Sequence, residues 1–297
     1  MTEETNTDAT EIADPVLARF LVGATIRQLV QRDGRGPNAL AKAAGVSIAT
    51  WKRWVAGTIK EWGSPQVYAL MAALGYGHKD PATLDLLQLA TDARRHNVTS
   101  RPEWVRSRAF DLLMAVESVS ERIRTYELTV IPGLLQTEAY ARAHLALAGI
   151  AGDLEERVQL RMTRQAILDP DRTPAPVKYS AILDEALLHR PPADPAVMRG
   201  QLAHLLDLTE QRHISLRVIP FAAGPYPTDG NGPFLLLESA RVGGDIVHLE
   251  TSRHSTYLET SEATAPYLGA WERLAARAED EEESAKRIRR LQSAAPR

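Results

Sequence analysis

The hydrophobic pattern changes period about a third of the way along the chain. From residue 14 to 95 apolar side chains recur at helical spacing: Val22, Ile26, Leu29 and Val30 share one face of a segment running to about Arg32. Asp14-Pro15 opens it, with Asp as N-cap and Pro in the first turn. The same device at Ser64-Pro65, Asp80-Pro81 and Asp194-Pro195 predicts three more helix starts. Asp33-Gly34-Arg35-Gly36 breaks the first helix, a short one follows from Pro37 to Ala44, and Gly45 ends it. Ser47 caps the next, which runs to Ala56 and stops at Gly57. Ser64 to Leu74 and Pro81 to Arg94 complete an all-helical stretch.

Beyond residue 103 the pattern becomes mixed. Trp104 to Tyr126 reads as mostly helical, Pro132-Gly133 as a turn, and Gln136 to Ala148 as an amphipathic helix. Asp153 and Glu156 form a capping box for a helix ending near Leu168. Short apolar or alternating runs predict strands at Val177 to Leu183, Ile214 to Pro220, Phe234 to Glu238 and Ile246 to Glu250. Asp194 to Gln211 is a helix between the first two strands, Gly224 to Pro233 an exposed loop, and Ser261 to Leu291 helical again. The expected fold class is multi-domain: an all-α N-terminal helix-turn-helix domain at 14–95, then an α+β C-terminal domain at 104–292. Residues 1–13 read as a disordered tail and 96–103 as a linker.

Composition narrows the function classes. With 297 residues, 44% hydrophobic and 25% charged, the chain is ordinary globular material for two domains. It has no cysteine, which excludes disulfides, Cys-based zinc sites and a thiol nucleophile and fits a reducing compartment. The acidic, polar first residues are expected to carry no secretory signal, and no apolar run approaches the ~18 residues of a membrane span. A cytoplasmic location with no membrane partner is therefore expected. The formal net charge of −3 counts mildly against a nucleic-acid partner. A binding face needs only a local positive field, however, and the acidic run Glu279 to Glu283 offsets basic segments elsewhere.

The most informative stretch is Leu40 to Gly57. A tight helix-turn-helix needs a small residue where the helices approach, a left-handed turn residue, and a plug between the helices. Ala41, Gly45 and Val46 supply them. Trp51 and Trp54, three apart, share the inner side of the second helix, which leaves Ile48, Ala49, Lys52 and Arg53 outward and Ser47 and Thr50 near its N-terminus. Such a helix reads base edges with its N-terminal residues. Lys52 and Arg53 suit phosphate or guanine, Ile48 and Ala49 suit thymine methyls, and Ser47 suits a phosphate at the helix N-terminus. Lys60 and Arg35 are expected to add backbone contacts. Double-stranded DNA is the expected partner, read by a homodimer because such motifs use two half-sites.

The second domain offers less chemistry. Arg157, Arg161 and Arg164, followed by Gln165, line a helix at spacings of three and four. A solvated face paired with Glu155 and Glu156 is the simpler expectation, and a site for an anionic ligand or partner is the alternative. Asp184-Glu185 reads as a charge pair at a helix start, and His189, His204, His213, His248 and His254 as surface or structural residues. Glu279 to Glu283 with Lys286, Arg287, Arg289 and Arg290 reads as a salt-bridged helix. No GxSxG, HExxH, P-loop or GxGxxG signature is present. No catalytic residue, cofactor or metal is expected, and an enzyme with an active site of unfamiliar type is kept only as an alternative.

Residues 17–75 resemble the helix-turn-helix of the XRE family of phage-repressor-like regulators, whose turn reads Gly-Val-Ser before the reading helix and a glycine. Gly45-Val46-Ser47 and Gly57 match at the same spacing. The sequence departs from that family at Ile48 and Ala49, where Gln or Ser is frequent, and at Val55-Ala56-Gly57, where a Glu usually precedes the close. The remainder resembles the C-terminal domain of the WhiJ-like, antitoxin-like group of actinobacterial XRE regulators. The matching residues are Pro132-Gly133-Leu134-Leu135-Gln136-Thr137 with Tyr140-Ala141, then Arg161, Arg164 and Gln165, then Asp184-Glu185 and Gln201-Leu202. Pro220, Phe221 and Gly224, Gly232-Pro233-Phe234, Leu249-Glu250 and Tyr257-Leu258-Glu259 follow in order, with Tyr226 where that group has His. The resemblance implies a transcriptional regulator whose C-terminal domain dimerises, binds a small partner protein encoded nearby or senses a ligand. An antitoxin-like module that only neutralises such a partner is the alternative it leaves open.

Overall fold

The computed structural model describes residues 15–58, 62–94, 108–147, 153–173, 175–192, 194–226, 232–240, 244–250 and 255–294. The expected tail at 1–13 and linker at 96–103 lie outside them. The chain divides into two compact units, Met1–Pro102 and Glu103–Arg297. No described helix is long and apolar enough to cross a membrane.

The described part of the first unit is helical: α1 (Pro15–Asp33), α2 (Pro37–Ala43), α3 (Ile48–Val55), α4 (Ser64–Ala73) and α5 (Pro81–Asp92). Local chemistry sets the helix starts. The Asp80 carboxylate accepts from the Ala82 N–H, and the Ser47 hydroxyl from the Thr50 N–H, each satisfying an orphan donor. Ser64, read as a cap, is instead the first helical residue, and Gly63 holds the N-cap with no side-chain bond. The pre-set φ of Pro65 suffices to start that turn. Leu17, Leu21, Val22, Ile26 and Leu29 of α1 are buried, with α1 packed on α3 and α5. Trp51, Trp54, Trp62, Leu70, Met71 and Leu86 fill the same core. Each such side chain contributes roughly 1.5–3 kcal/mol. Two glycines allow α1 to meet the end of α3 backbone to backbone. A Cβ on Gly57 would stand 2.6 Å from the Arg19 carbonyl oxygen, and one on Gly23 2.8 Å from the Gly57 nitrogen.

The second unit is α+β. Its six-stranded mixed sheet has the order β3-β2-β1-β4-β5-β6, with β1 (Arg122–Glu127), β2 (Lys178–Asp184), β3 (Ile214–Ile219), β4 (Phe234–Ser239), β5 (Gly244–Glu250) and β6 (Ser255–Leu258). The β3-β2-β1 half is parallel and the β1-β4-β5-β6 half antiparallel. Its helices are α6 (Arg108–Val119), α7 (Glu138–Leu147), α8 (Leu154–Arg164), α9 (Glu185–Leu188), α10 (Pro195–Thr209), α11 (Ser261–Ala275) and α12 (Glu281–Ala294).

Three elements differ from the hydrophobic pattern. The stretch expected to be helical through Tyr126 contains β1, whose Ile123, Thr125 and Tyr126 carry the β-branched and aromatic signal. No Gly or Pro separates it from α6, so the two periods run together. The edge strand β6 went unexpected, being only four residues long. The helix expected over 261–291 is α11 and α12, divided at 276–280.

Side-chain alternation gives the sheet two buried faces. On one, Tyr126, Ile182, Phe234, Leu236 and Val247 pack with Ala270, Trp271 and Leu274 of α11. The other carries Ile123, Tyr179, Leu216, Leu237 and Ile246, all buried. Thr125, Leu235 and His248 form a row across that second face, with an apolar residue between two polar ones.

Candidate functional site

The turn between α2 and α3 is fixed by the backbone. The Gly45 N–H donates to the Lys42 carbonyl and the Val46 N–H to that of Ala41. Gly45 takes φ +66, the left-handed region that costs a residue with a Cβ. Ala41 is buried, as a close approach requires, and Val46 is half-buried. Ser47 lies 3.0 Å from the Thr50 hydroxyl, which accepts from Arg53 Nη2 at 3.3 Å. These bonds tie the start of α3 to its last turn.

The inner side of α3 is rigid. Trp51 and Trp54 are buried with ring centroids 6.3 Å apart, and Trp54 lies 4.9 Å from Trp62. The outer side carries Ser47, Ile48, Ala49, Lys52 and Arg53, all exposed, with Thr50 partly so. Ile48 is 40% exposed. Among the described residues neither Lys52 nor Arg53 has a carboxylate partner, and exposed Lys42 on α2 has none either. Lys42 was legible as a cation but not as one left unpaired. Lys60 lies outside the described residues. Arg35, expected to reach toward a partner, is held instead by Asp33 and by the Ala73 carbonyl at 2.6 Å.

The arginines of α8 do not form a solvated face. Arg157 is buried and Arg161 and Arg164 partly so, while Glu155 pairs with Arg142 of α7. Asp153 caps α8 by accepting from Glu155 and Glu156 N–H groups. Arg164 binds the buried Glu117 of α6 through Nε at 2.6 Å and Nη2 at 2.5 Å. Arg161 donates to Gln136 Oε1 at 2.8 Å. Gln165 donates to the Gly133 and Gln136 carbonyls, and buried Gln201 bridges the Leu135 carbonyl and the Thr137 N–H. The Pro-Gly-Leu-Leu-Gln-Thr segment is thus clamped by glutamines from α8's end and from α10.

The sheet face beneath is polar at its margin. Burial, then the nearby Glu250 charge, pushes the Glu127 carboxyl up to about 8. Burial, then Arg164, lowers His248 to about 4. Burial, with Arg164 and Arg157 adding repulsion, lowers Arg161 to about 10.

Asp184 and Glu185 have structural duties. Asp184 caps α9 through Ala186 N–H and also accepts from the Tyr226 hydroxyl, which in turn accepts from Tyr126 at 3.1 Å. Tyr226, standing where the resembling group has His, therefore closes a hydrogen-bond chain. Glu185 accepts from the Phe221 N–H and from Arg287, whose guanidinium also binds Glu279. Arg287 thereby joins α12 to the start of α9. Among the described residues no group of histidines and carboxylates is placed to hold a metal ion.

A family model described as a domain of unknown function (DUF5753) matches residues 110–290. No curated protein and no solved structure matches the chain.

Proposed function

The chain belongs to the DUF5753 family, and since that match leaves the first unit outside it, we propose from that unit that the protein is a sequence-specific DNA-binding transcriptional regulator. The observation that carries this reading is the two-sided character of α3. One side is locked by Trp51 and Trp54, and the other presents Ile48, Ala49, Lys52 and Arg53 with both cations unpaired among the described residues. An α-helix with its side chains is about 10–12 Å across, which suits a major groove about 12 Å wide.

In this reading α2, the turn and α3 form an XRE-type helix-turn-helix with α3 as the reading helix. Arg53 and Lys52 contact guanine edges or phosphates, Ile48 and Ala49 meet thymine methyls, and Ser47 with the α3 N-terminus holds a phosphate. Lys42 adds a phosphate contact. The protein acts as a cytoplasmic homodimer on two half-sites, and the second unit serves dimerisation, a small partner protein or a ligand. It needs no catalytic group or cofactor for this role.

Selection of a randomised duplex library by the full chain tests the reading. Enrichment of one motif, repeated about one helical turn apart, is expected. Recovery of unselected sequence would overturn it and leave a protein-interaction module in its place.

A further inference from the structure

Arg161 is a partly buried cation whose one hydrogen bond among the described residues goes to an uncharged amide. Of the three α8 arginines that face inward, Arg164 has its carboxylate in Glu117. Arg161 has no carboxylate within ion-pair distance among the described residues. Its remaining donors are not sealed: none of its nitrogens is both unpartnered and closed to solvent. A guanidinium that is largely desolvated, short of a counter-charge and still reached by solvent is a ready fork for a carboxylate.

The surroundings hold that fork in place. Gly133 lies flat against it, where a Cβ would stand 3.5 Å from Arg161 Cζ. Gln136, the partner of Arg161, is itself fixed through Nε2 to the Ile131 carbonyl at 2.7 Å, and Gln165 pins the same loop.

Two carboxyl groups end strands on one face of the sheet. Strands β1 and β5 both run antiparallel to β4 and so run the same way, ending in Glu127 and Glu250. Alternation puts both on the face that carries Thr125 and His248. Each interacts electrostatically with the other, and Glu250 also with Arg161. Half-buried Tyr257 and His144 border the same charges. A second anionic group on a ligand would meet the Glu250 charge, whereas a hydroxyl or ammonium would be accepted by the carboxyl oxygens of Glu250 and Glu127.

We propose that Arg161 is the anion-binding centre of a small-molecule site in the second unit. Its ligand is a monocarboxylate bearing hydroxyl or ammonium donors at its far end, with the carboxylate on Arg161 and the donors toward Glu127 and Glu250. The site goes beyond the DNA-binding reading and does not rest on it.

Calorimetric titration of the full chain, without DNA, tests the site with 4-aminobutyrate, 3-hydroxybutyrate, acetate, citrate and inorganic phosphate. Binding of at least one of the first two is expected, at higher affinity than acetate, citrate or phosphate. Arg161→Gln should weaken it at least about tenfold. Arg161→Lys, which keeps the charge and loses the fork, should weaken it less and carries the comparison if the Gln variant does not fold. Glu127→Gln should weaken the amino or hydroxy acid while leaving acetate unchanged. No binding by either donor-bearing acid, affinity unchanged in both Arg161 variants, or tightest binding of citrate or phosphate would overturn the proposal.

Discussion

Arg53 stands at the last turn of α3 with its guanidinium on the Thr50 hydroxyl rather than on a carboxylate. It is free to leave that weak bond for a base edge. Arg53→Ala is expected to cost roughly 1–3 kcal/mol of affinity for a selected duplex and to relax preference at one position, as read by competition binding. The glycines of the same unit separate two physical roles. Gly45 needs only its left-handed backbone, since a Cβ there meets nothing within 4 Å. Gly57 has φ +57 and an Arg19 carbonyl in the way as well. Gly45→Ala should therefore lose about 1–2 kcal/mol and Gly57→Ala clearly more, measured by thermal or urea unfolding. Gly45 and Gly57 were legible as helix stops. Gly23 was not, because its small size serves a contact with Gly57, 34 positions away. The α8 arginines were misread for a related reason. A stripe at spacings of three and four is the same whether it faces water or a sheet, and Glu155 beside it suggested partners that α7 takes instead.

Among the elements, β1 and β5 set the pH behaviour of the second unit. Glu127 at the end of β1 holds its proton to about pH 8 because of burial and then Glu250, whereas an unfolded glutamate releases it near 4.5. Between those values the unfolded state has fewer protons, so this group's contribution to stability is full below about 4.5 and lost as pH rises toward 8. His248 on β5 acts with the opposite sign. Its folded value of about 4 lies below the free imidazole's 6.5, so its contribution is lost as pH falls through that interval. Glu127→Gln is expected to match the parent near pH 4.5 and exceed its unfolding free energy by about 1–3 kcal/mol near pH 8. Denaturant titrations at the two pH values check this, and equal stability at both would contradict it. The four strands expected from alternation are present, each within two residues of its expected limits. The helix starts at Ser47, Asp80, Asp153 and Asp194 were legible too, Ser64 was not, and Asp14 lies outside the described residues. The sequence hid β1 because no Gly or Pro separates it from α6, and β6 because four residues give too short a period.

For the whole molecule, the change of pattern past residue 103 made the all-α then α+β order legible, while the strand order was not. Parallel pairing of β1 with β2 depends on contacts some 55 residues apart, and no local signal reports it. The net charge of −3 gave no hint of a basic surface, because charge summed over 297 residues says nothing about where cations stay unpaired. A regulator reading two half-sites should be a homodimer, and light scattering at micromolar concentration is expected to give twice the 32.7 kDa chain mass. A monomer both with and without duplex would count against two-site reading.

The central claim is that the exposed side of α3 reads DNA, and salt-dependent duplex binding tests it most directly. Fluorescence anisotropy with a selected duplex should show affinity falling steeply with salt, and the Lys52→Ala/Arg53→Ala double variant should bind more weakly. If both side chains contact phosphate, its log–log salt slope should also be shallower by about two. Parent and double variant binding with the same affinity and the same slope would contradict the assignment of α3 as the reading helix.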